Sequence, residues 1–111
     1  MKTIPKEVKK EIQKLVDQFN EDELDLINEF YKYVVEYSGN YAYLKSKLYD
    51  DVSPAGRLKY TGDMNNWEFA IYRYSIEEYV PDEAFFPGES YLDGTITGAL
   101  YCCNTAYPPT I

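Results

Sequence analysis

Histidine is absent from this 111-residue sequence, and tryptophan and cysteine are scarce. Without histidine the chain lacks the side chain that most often acts as a general base near neutral pH, and it lacks the usual nitrogen ligand of zinc. The two cysteines, Cys102 and Cys103, are neighbours, and a disulfide needs its Cα atoms farther apart than one peptide bond allows. The composition therefore indicates reduced thiols and argues against a structural zinc site or a disulfide scaffold.

Long hydrophobic runs are missing as well. No stretch approaches the ~20 apolar residues of a membrane helix. Residues 1–6 carry charge but no apolar segment follows them, as it would in a secretory signal. We therefore expect a cytoplasmic protein without a membrane partner. Hydrophobic residues make up 45% of the chain, too many for a disordered protein, and the length fits one domain spanning residues 1–111.

Acidic and aromatic residues are what the sequence has in abundance. It contains 19 acidic residues against 11 basic ones, a formal net charge of −8, and 13 tyrosines. A strongly anionic surface repels the phosphates of nucleic acids, which argues against a nucleic-acid partner, whereas a basic protein or a cation would be attracted. The commoner alternative is that the charge only keeps the protein soluble.

The N-terminal third has apolar residues at helical spacing. Val8, Ile12, Val16 and Phe19 share one stripe and predict a helix over residues 5–19. A second stripe that starts after Asn20 predicts another helix, which Gly39 would end. The two would form an antiparallel pair. A single long helix that passes through Asn20 is the competing interpretation.

The middle of the chain contains the clearest strand pattern. Residues 67–74 alternate, with Trp67, Phe69 and Ile71 on the side expected to be buried. Residues 57–61 alternate in the same way, so we predict an antiparallel hairpin with Leu58 opposite Phe69. That register also places Lys59 against Glu68, a favourable pair of opposite charges.

The segments on either side of the hairpin are less regular. Residues 41–49 fit either a helix or a strand, and the helix is favoured. Residues 50–56 contain proline and glycine and indicate a loop. Thr95 is placed to cap a last helix over residues 96–106. The predicted fold class is therefore α+β: an N-terminal helix pair, a central hairpin and a C-terminal helix.

Residues 57–108 contain short pieces that resemble a group of small uncharacterised bacterial proteins. The group has no assigned activity, so the resemblance implies a folded domain and transfers no catalytic residue. The last helix departs from the group at residues 101–103. The resembling pieces are Arg57–Gly62, Trp67–Ser75, Phe86–Gly88, Asp93–Thr95, Gly98–Leu100 and Tyr107–Pro108.

The first candidate site is an acidic loop flanked by aromatic residues. Its four carboxylates belong to Asp82, Glu83, Glu89 and Asp93. Paired carboxylates can share a proton, bind a hard cation or act in glycoside hydrolysis. The spacing matches no calcium-binding loop. A solvated acidic loop is the simpler interpretation, because charged loop residues usually face water.

The second candidate site is the end of the predicted strand, Tyr72, Arg73 and Tyr74. Tyrosine and arginine are common in binding hot spots, and a guanidinium can hold a carboxylate. The simpler alternative is that Arg73 pairs with an acidic residue of the same chain. Tyr33 and Tyr37 lie four residues apart in the second predicted helix, and an exposed pair beside acidic residues would suit an interface. Packing of the two rings at the rim of the core is the alternative, and it has at least equal support.

Two function classes remain after these exclusions, and self-association through exposed aromatic residues is a third possibility. The first is a non-enzymatic interaction module whose acidic, tyrosine-rich surface binds a basic protein. The second is a small enzyme or cation-binding protein that uses the carboxylates at 82–93. The sequence identifies no catalytic residue, no metal ligand and no cofactor, and it favours the interaction module.

Overall fold

The computed structural model describes residues 3–24, 30–81 and 86–108. These residues form an α+β fold, as predicted, built from two helices and one five-stranded antiparallel sheet. Two short turns of other helix types accompany them: a π-helical turn at Asn20–Leu24 and a 3₁₀ turn at Glu89–Tyr91. The main elements are α1 (Lys6–Phe19), β1 (Tyr31–Ser38), β2 (Tyr41–Leu48), β3 (Asp51–Lys59), β4 (Glu68–Arg73), β5 (Glu78–Val80) and α2 (Ile96–Ala106).

Each strand of the sheet pairs with its neighbours in sequence, in the order β1-β2-β3-β4-β5. Successive side chains of a strand point to opposite faces, so the sheet has two distinct surfaces. Tyr33, Leu44 and Leu58 point to the same face of the sheet. Buried residues of both helices form one hydrophobic cluster with them, so both helices lie on that face. We call this the inner face, and the opposite one the outer face.

Helix α1 agrees with the prediction, but the predicted helix pair is wrong. The chain stays helical through Asn20, as in the competing interpretation, and residues 31–38 then form β1. Tyr31, Tyr33 and Val35 alternate on the inner face, where their aromatic and β-branched side chains suit a strand. No helix in the described part of the chain is long and apolar enough to cross a membrane.

The helix favoured for residues 41–49 and the loop predicted for residues 50–56 are also wrong. The first segment is β2, and the second belongs to β3. The register shifts after Leu44, where Gly56 and then Pro54 are the successive partners and Ala55 is the extra residue of a β-bulge. A bulge tolerates proline because the ladder is interrupted there. The proline and glycine therefore mark a bulge rather than a loop.

The predicted hairpin is confirmed as the central part of a larger sheet. Leu58 lies opposite Phe69, and Lys59 opposite Glu68. Trp67 is buried just before β4, where its indole N–H donates to the carbonyl of Met64 at 2.8 Å. The prediction of an isolated hairpin is incomplete because β1, β2 and β5 extend the sheet on both sides.

Helix α2 begins and ends as predicted. The hydroxyl of Thr95 accepts a hydrogen bond from the backbone N–H of Gly98 at 3.0 Å, which caps the first turn. The buried side of α2 packs against α1 and the inner face of the sheet. Cys102 and Cys103 are both buried and unbridged, so these two thiols are part of the core.

Candidate functional site

The acidic segment 82–93 is described only in part. Asp82 and Glu83 lie outside the described residues. Asp93 accepts hydrogen bonds from the backbone N–H of Thr95 at 3.0 Å and from its hydroxyl at 2.6 Å. These hydrogen bonds lower the pKa of Asp93. The carboxylate of Asp93 therefore organises the start of α2.

Glu89 begins the 3₁₀ turn and is half-buried near Cys102. Burial, and secondly the charge of Glu89, raise the pKa of the Cys102 thiol to about 12. Burial raises the pKa of Cys103 as well. Both thiols are therefore protonated, and poor nucleophiles, near neutral pH. Within residues 3–24, 30–81 and 86–108, no group of three or more acidic or cysteine side chains is placed to hold a metal ion.

The structure keeps Tyr72 and Tyr74 in contact and directs Arg73 to the other face of the sheet. Tyr72 points to the outer face, and its ring contacts that of Tyr74 at a centroid distance of 4.9 Å. Arg73 is opposite Glu78 on the inner side, where it lines a cavity of about 230 Å³ beside Phe86. Tyr74 lines a different cavity. The predicted three-residue site therefore does not form, because Arg73 does not share a surface with the two tyrosines.

The cavity that Tyr74 lines lies at the end of the sheet where β1 and β3 begin and β2 ends. Its volume is about 330 Å³. We call it the end cavity. Cross-strand pairing builds its floor, because Leu48 is opposite both Tyr31 and Asp51, and Ser46 is opposite Ser53. The lining residues are Tyr31, Ser46, Leu48, Asp51, Ser53, Tyr74, Tyr107 and Pro108.

Hydrogen bonds to the backbone fix two of the tyrosine rings in the end cavity. The hydroxyl of Tyr74 donates to the carbonyl of Pro54, and that of Tyr107 donates to the carbonyl of Tyr72. The two rings pack edge to face with centroids 5.3 Å apart. Burial raises the pKa of Tyr74, so its hydroxyl remains a donor. The rings are therefore held in place before any ligand arrives.

Charge in the end cavity is of one sign. Asp51 is the charged residue of the lining, and the described lining contains no lysine or arginine. The hydroxyls of Ser46 and Ser53 add oxygen atoms that can accept hydrogen bonds. Aromatic rings, hydroxyl groups and a carboxylate together suit a cationic group, because the face of an aromatic ring is negative.

Two exposed aromatic residues are sequence neighbours of residues that line the end cavity. Phe30 is 51% exposed and Tyr49 is 63% exposed, and their rings stack at 4.9 Å. Tyr49 has a φ of 55°, a conformation that large side chains rarely adopt, in the turn between β2 and β3. Six large hydrophobic side chains are exposed in the described residues. Four of them belong to a lining residue or to its immediate neighbour in sequence: Phe30, Tyr49, Val52 and Tyr74.

The predicted exposed pair Tyr33 and Tyr37 does not form. Tyr33 is only 1% exposed and lies in the core, since it is on a strand and points to the inner face. Tyr37 is half-buried under α1, where its hydroxyl donates to the carbonyl of Lys9 at 3.3 Å. Sequence reasoning also missed Asp51, which lies in the segment predicted as a loop. The alternation through residues 31–37 was the signal that could have revealed β1.

No family model, curated protein or solved structure matches the chain. The resemblance of residues 57–108 to small bacterial proteins stays a prediction.

Proposed function

We propose that this protein is a non-enzymatic interaction module that holds a cationic side chain of a basic protein partner in the end cavity. One observation carries the proposal: three tyrosine rings and the carboxylate of Asp51 line one cavity, and no basic residue is among the described lining. A lysine or arginine side chain would place its charge near the rings and the carboxylate.

The energies involved are sufficient for a specific contact. A cation over an aromatic ring gains about 0.5–2 kcal/mol, with the larger values where water is excluded. The carboxylate adds an ion pair, and the serine hydroxyls can accept hydrogen bonds from an ammonium or guanidinium group. A volume of about 330 Å³ suits one side chain better than a folded segment.

The surroundings of the end cavity support a protein partner rather than a small free cation. The exposed, stacked rings of Phe30 and Tyr49 belong to the immediate sequence neighbours of the lining residues Tyr31 and Leu48, and aromatic residues dominate binding hot spots. The net charge of −8 would steer a basic protein toward the molecule. The reduced, unbridged Cys102 and Cys103 are consistent with the proposed cytoplasmic location.

The alternative, an enzyme or cation-binding protein built on residues 82–93, has less support. Asp93 accepts two hydrogen bonds from Thr95, the residue that caps α2, and Glu89 lies near a buried thiol. Neither is a lining residue of the end cavity. We therefore propose no cofactor and no catalytic residue.

A titration with a defined peptide tests the proposal. The ¹⁵N-labelled protein is titrated with a short lysine- and arginine-containing peptide, and the amide shifts are mapped. We expect the largest shifts at Tyr31, Ser46, Asp51 and Ser53. Asp51→Asn should weaken binding about fivefold, since an exposed charge pair contributes up to about 1 kcal/mol.

Asp50→Asn is the matched control, because Asp50 is the exposed neighbour of Asp51 and lies outside the lining. It removes the same charge and should have a much smaller effect. Equal effects of the two substitutions would show that only net charge matters. Shifts confined to another surface would rule out the end cavity as the binding site.

A further inference from the structure

The outer face of the sheet carries a row of tyrosine rings. Tyr41 contacts Tyr43, Tyr43 contacts Tyr79, and Tyr79 contacts Tyr72, with centroid distances of 6.1, 5.5 and 5.0 Å. The guanidinium of Arg57 lies over Tyr41 at 4.7 Å and over Tyr79 at 5.4 Å. Both helices pack on the inner face, so no helix of the described residues covers this row.

The outer face also has the opposite charge to the rest of the molecule. The register of the described strands directs five basic side chains outward and only two acidic ones, a formal charge of +3 in a chain whose net charge is −8. The basic residues are Lys32, Lys45, Lys47, Arg57 and Lys59, and the acidic ones are Glu36 and Glu68.

The acidic residues of the outer face balance only part of this positive charge. Glu36 forms an ion pair with Lys45 at 3.0 Å, and Glu68 is opposite Lys59. Lys32, however, is directly opposite Lys47 across β1 and β2. Like charges in that position destabilise a sheet. An anionic group bound between the two lysines would relieve this repulsion.

We infer that the outer face binds an extended acidic protein segment with carboxylates at alternate positions. This partner goes beyond the basic protein proposed for the end cavity and uses a different surface. Residues two apart on a strand are separated by about 6.8 Å, so Lys45 and Lys47 repeat at the same spacing as alternate side chains of an extended peptide. Arg57 could hold a carboxylate with two parallel hydrogen bonds.

The tyrosines complete the recognition of carboxylates. Burial, and then the neighbouring Tyr43 and Tyr72, raise the pKa of Tyr79 to about 12. Its hydroxyl therefore stays protonated and is a hydrogen-bond donor at neutral pH. The rings also supply apolar contact for the alternate side chains of the segment.

The same geometry disfavours nucleic acid and a second copy of this chain. The contacting rings in the row are inclined by 42°, 61° and 68° to one another, so they offer no flat platform for successive stacked bases. The acidic remainder of the molecule would repel a long polyanion. Two copies face to face would oppose five basic residues with five more.

The test measures binding of a fluorescent peptide with alternating aspartate and valine residues. Lys47→Glu is the informative variant, because it turns the repulsive pair with Lys32 into an attractive one. We expect it to raise the midpoint of thermal unfolding and to weaken peptide binding about fivefold or more. A purely structural lysine would not show these opposite effects.

Lys10→Glu is the matched control, with the same change of charge on the exposed part of α1. It should leave peptide affinity within about twofold, because charges beyond ~8 Å are screened at physiological salt. In the wild-type protein, the bound peptide should shift the ring signals of Tyr41, Tyr43 and Tyr72.

Three results would overturn the inference. The first is equal weakening by Lys47→Glu and Lys10→Glu. The second is tighter binding of an oligouridylate than of the peptide at the same rings, which would assign the face to nucleic acid. The third is a dimer in sedimentation that Lys47→Glu dissociates, which would make a second copy the partner.

Discussion

The side-chain amide of Asn20 is paired with the backbone of Tyr33. Its Nδ2 donates to the carbonyl of Tyr33 at 2.9 Å, and its Oδ1 accepts from the N–H of Tyr33 at 2.8 Å. Asn20 therefore presents to β1 the same donor and acceptor that a neighbouring strand would present. This contact joins the end of the N-terminal helical segment to the sheet.

Replacing Asn20 should loosen that junction. Asn20→Ala removes two half-buried hydrogen bonds, and we expect it to lower the free energy of unfolding by about 1–3 kcal/mol. Urea denaturation measures the change. Gln18→Ala is the control, because its hydrogen bond to Asp22 is exposed and its loss should change stability by less than about 0.5 kcal/mol. Similar losses in the two variants would contradict a special role for Asn20.

The cap of α2 should be sensitive to its hydroxyl. Thr95→Ala removes the acceptor for Gly98 and the donor to Asp93, and should cost about 1 kcal/mol. Thr95→Ser keeps both hydrogen bonds and should restore most of the loss. Circular dichroism during thermal unfolding gives both values. A serine variant as unstable as the alanine variant would assign the effect to the lost methyl group instead.

Stability should depend on pH through Asp93. Its pKa is lowered in the folded protein by its hydrogen bonds with Thr95. The charged form therefore stabilises the fold above the unfolded pKa of about 3.9, and this contribution disappears as the pH falls through the folded value. Asp93→Asn should lose more stability at pH 7 than at pH 3. Urea denaturation of both proteins at pH 7 and at pH 3 measures the stability loss. A loss of the same size at both pH values would show that the charge of Asp93 does not stabilise the fold.

Trp67 should be among the most sensitive residues of the core. Trp67→Ala opens a cavity beside Tyr60 and should cost about 3–5 kcal/mol. Trp67→Phe keeps an aromatic ring but leaves the Met64 carbonyl without its indole donor, and we expect a smaller loss. Urea denaturation of the two variants and the wild-type protein gives the free energy of unfolding of each. Equal losses would show that the hydrogen bond, and not the ring volume, decides stability.

The hydroxyl of Tyr33 should contribute little to folding. It is buried, and among the described residues it has no hydrogen-bond partner. Burial raises the pKa of Tyr33. Tyr33→Phe removes a polar group from an apolar site and should leave the free energy of unfolding unchanged or raise it by about 1 kcal/mol. A clear loss of stability in denaturation would contradict this assignment.

The parts of the fold that local chemistry determines were predictable. Thr95 caps α2 by its own side chain, and the opposite charges of Lys59 and Glu68 help to set the register of β3 and β4. Both signals act between residues that are close in sequence or directly paired. The apolar stripe of α1 is of the same kind. Helices α1 and α2 and strand β4 begin and end near the predicted residues, whereas β3 begins earlier, at Asp51.

The errors arose where tertiary contacts override a local pattern. Asn20 fits the start of a helix, yet its side chain forms hydrogen bonds with the backbone of Tyr33, thirteen residues away. Pro54 and Gly56 fit a loop, yet they lie at a bulge inside β3. The end cavity was unpredictable for the same reason. Tyr31, Asp51 and Tyr107 come together only once the strands pair and α2 docks.

The burial of α1 against α2 determines when the chain can finish folding during synthesis. Ile12, Val16 and Phe19 belong to α1, whereas their neighbours in the core include Ile96 and Leu100. At ~5–20 residues per second, a ribosome needs roughly 4–15 s to pass from the first helix to the second. The apolar side of α1 therefore stays without its contacts to α2 while the strands are being synthesised. During that time it is an exposed hydrophobic surface to which a chaperone could bind.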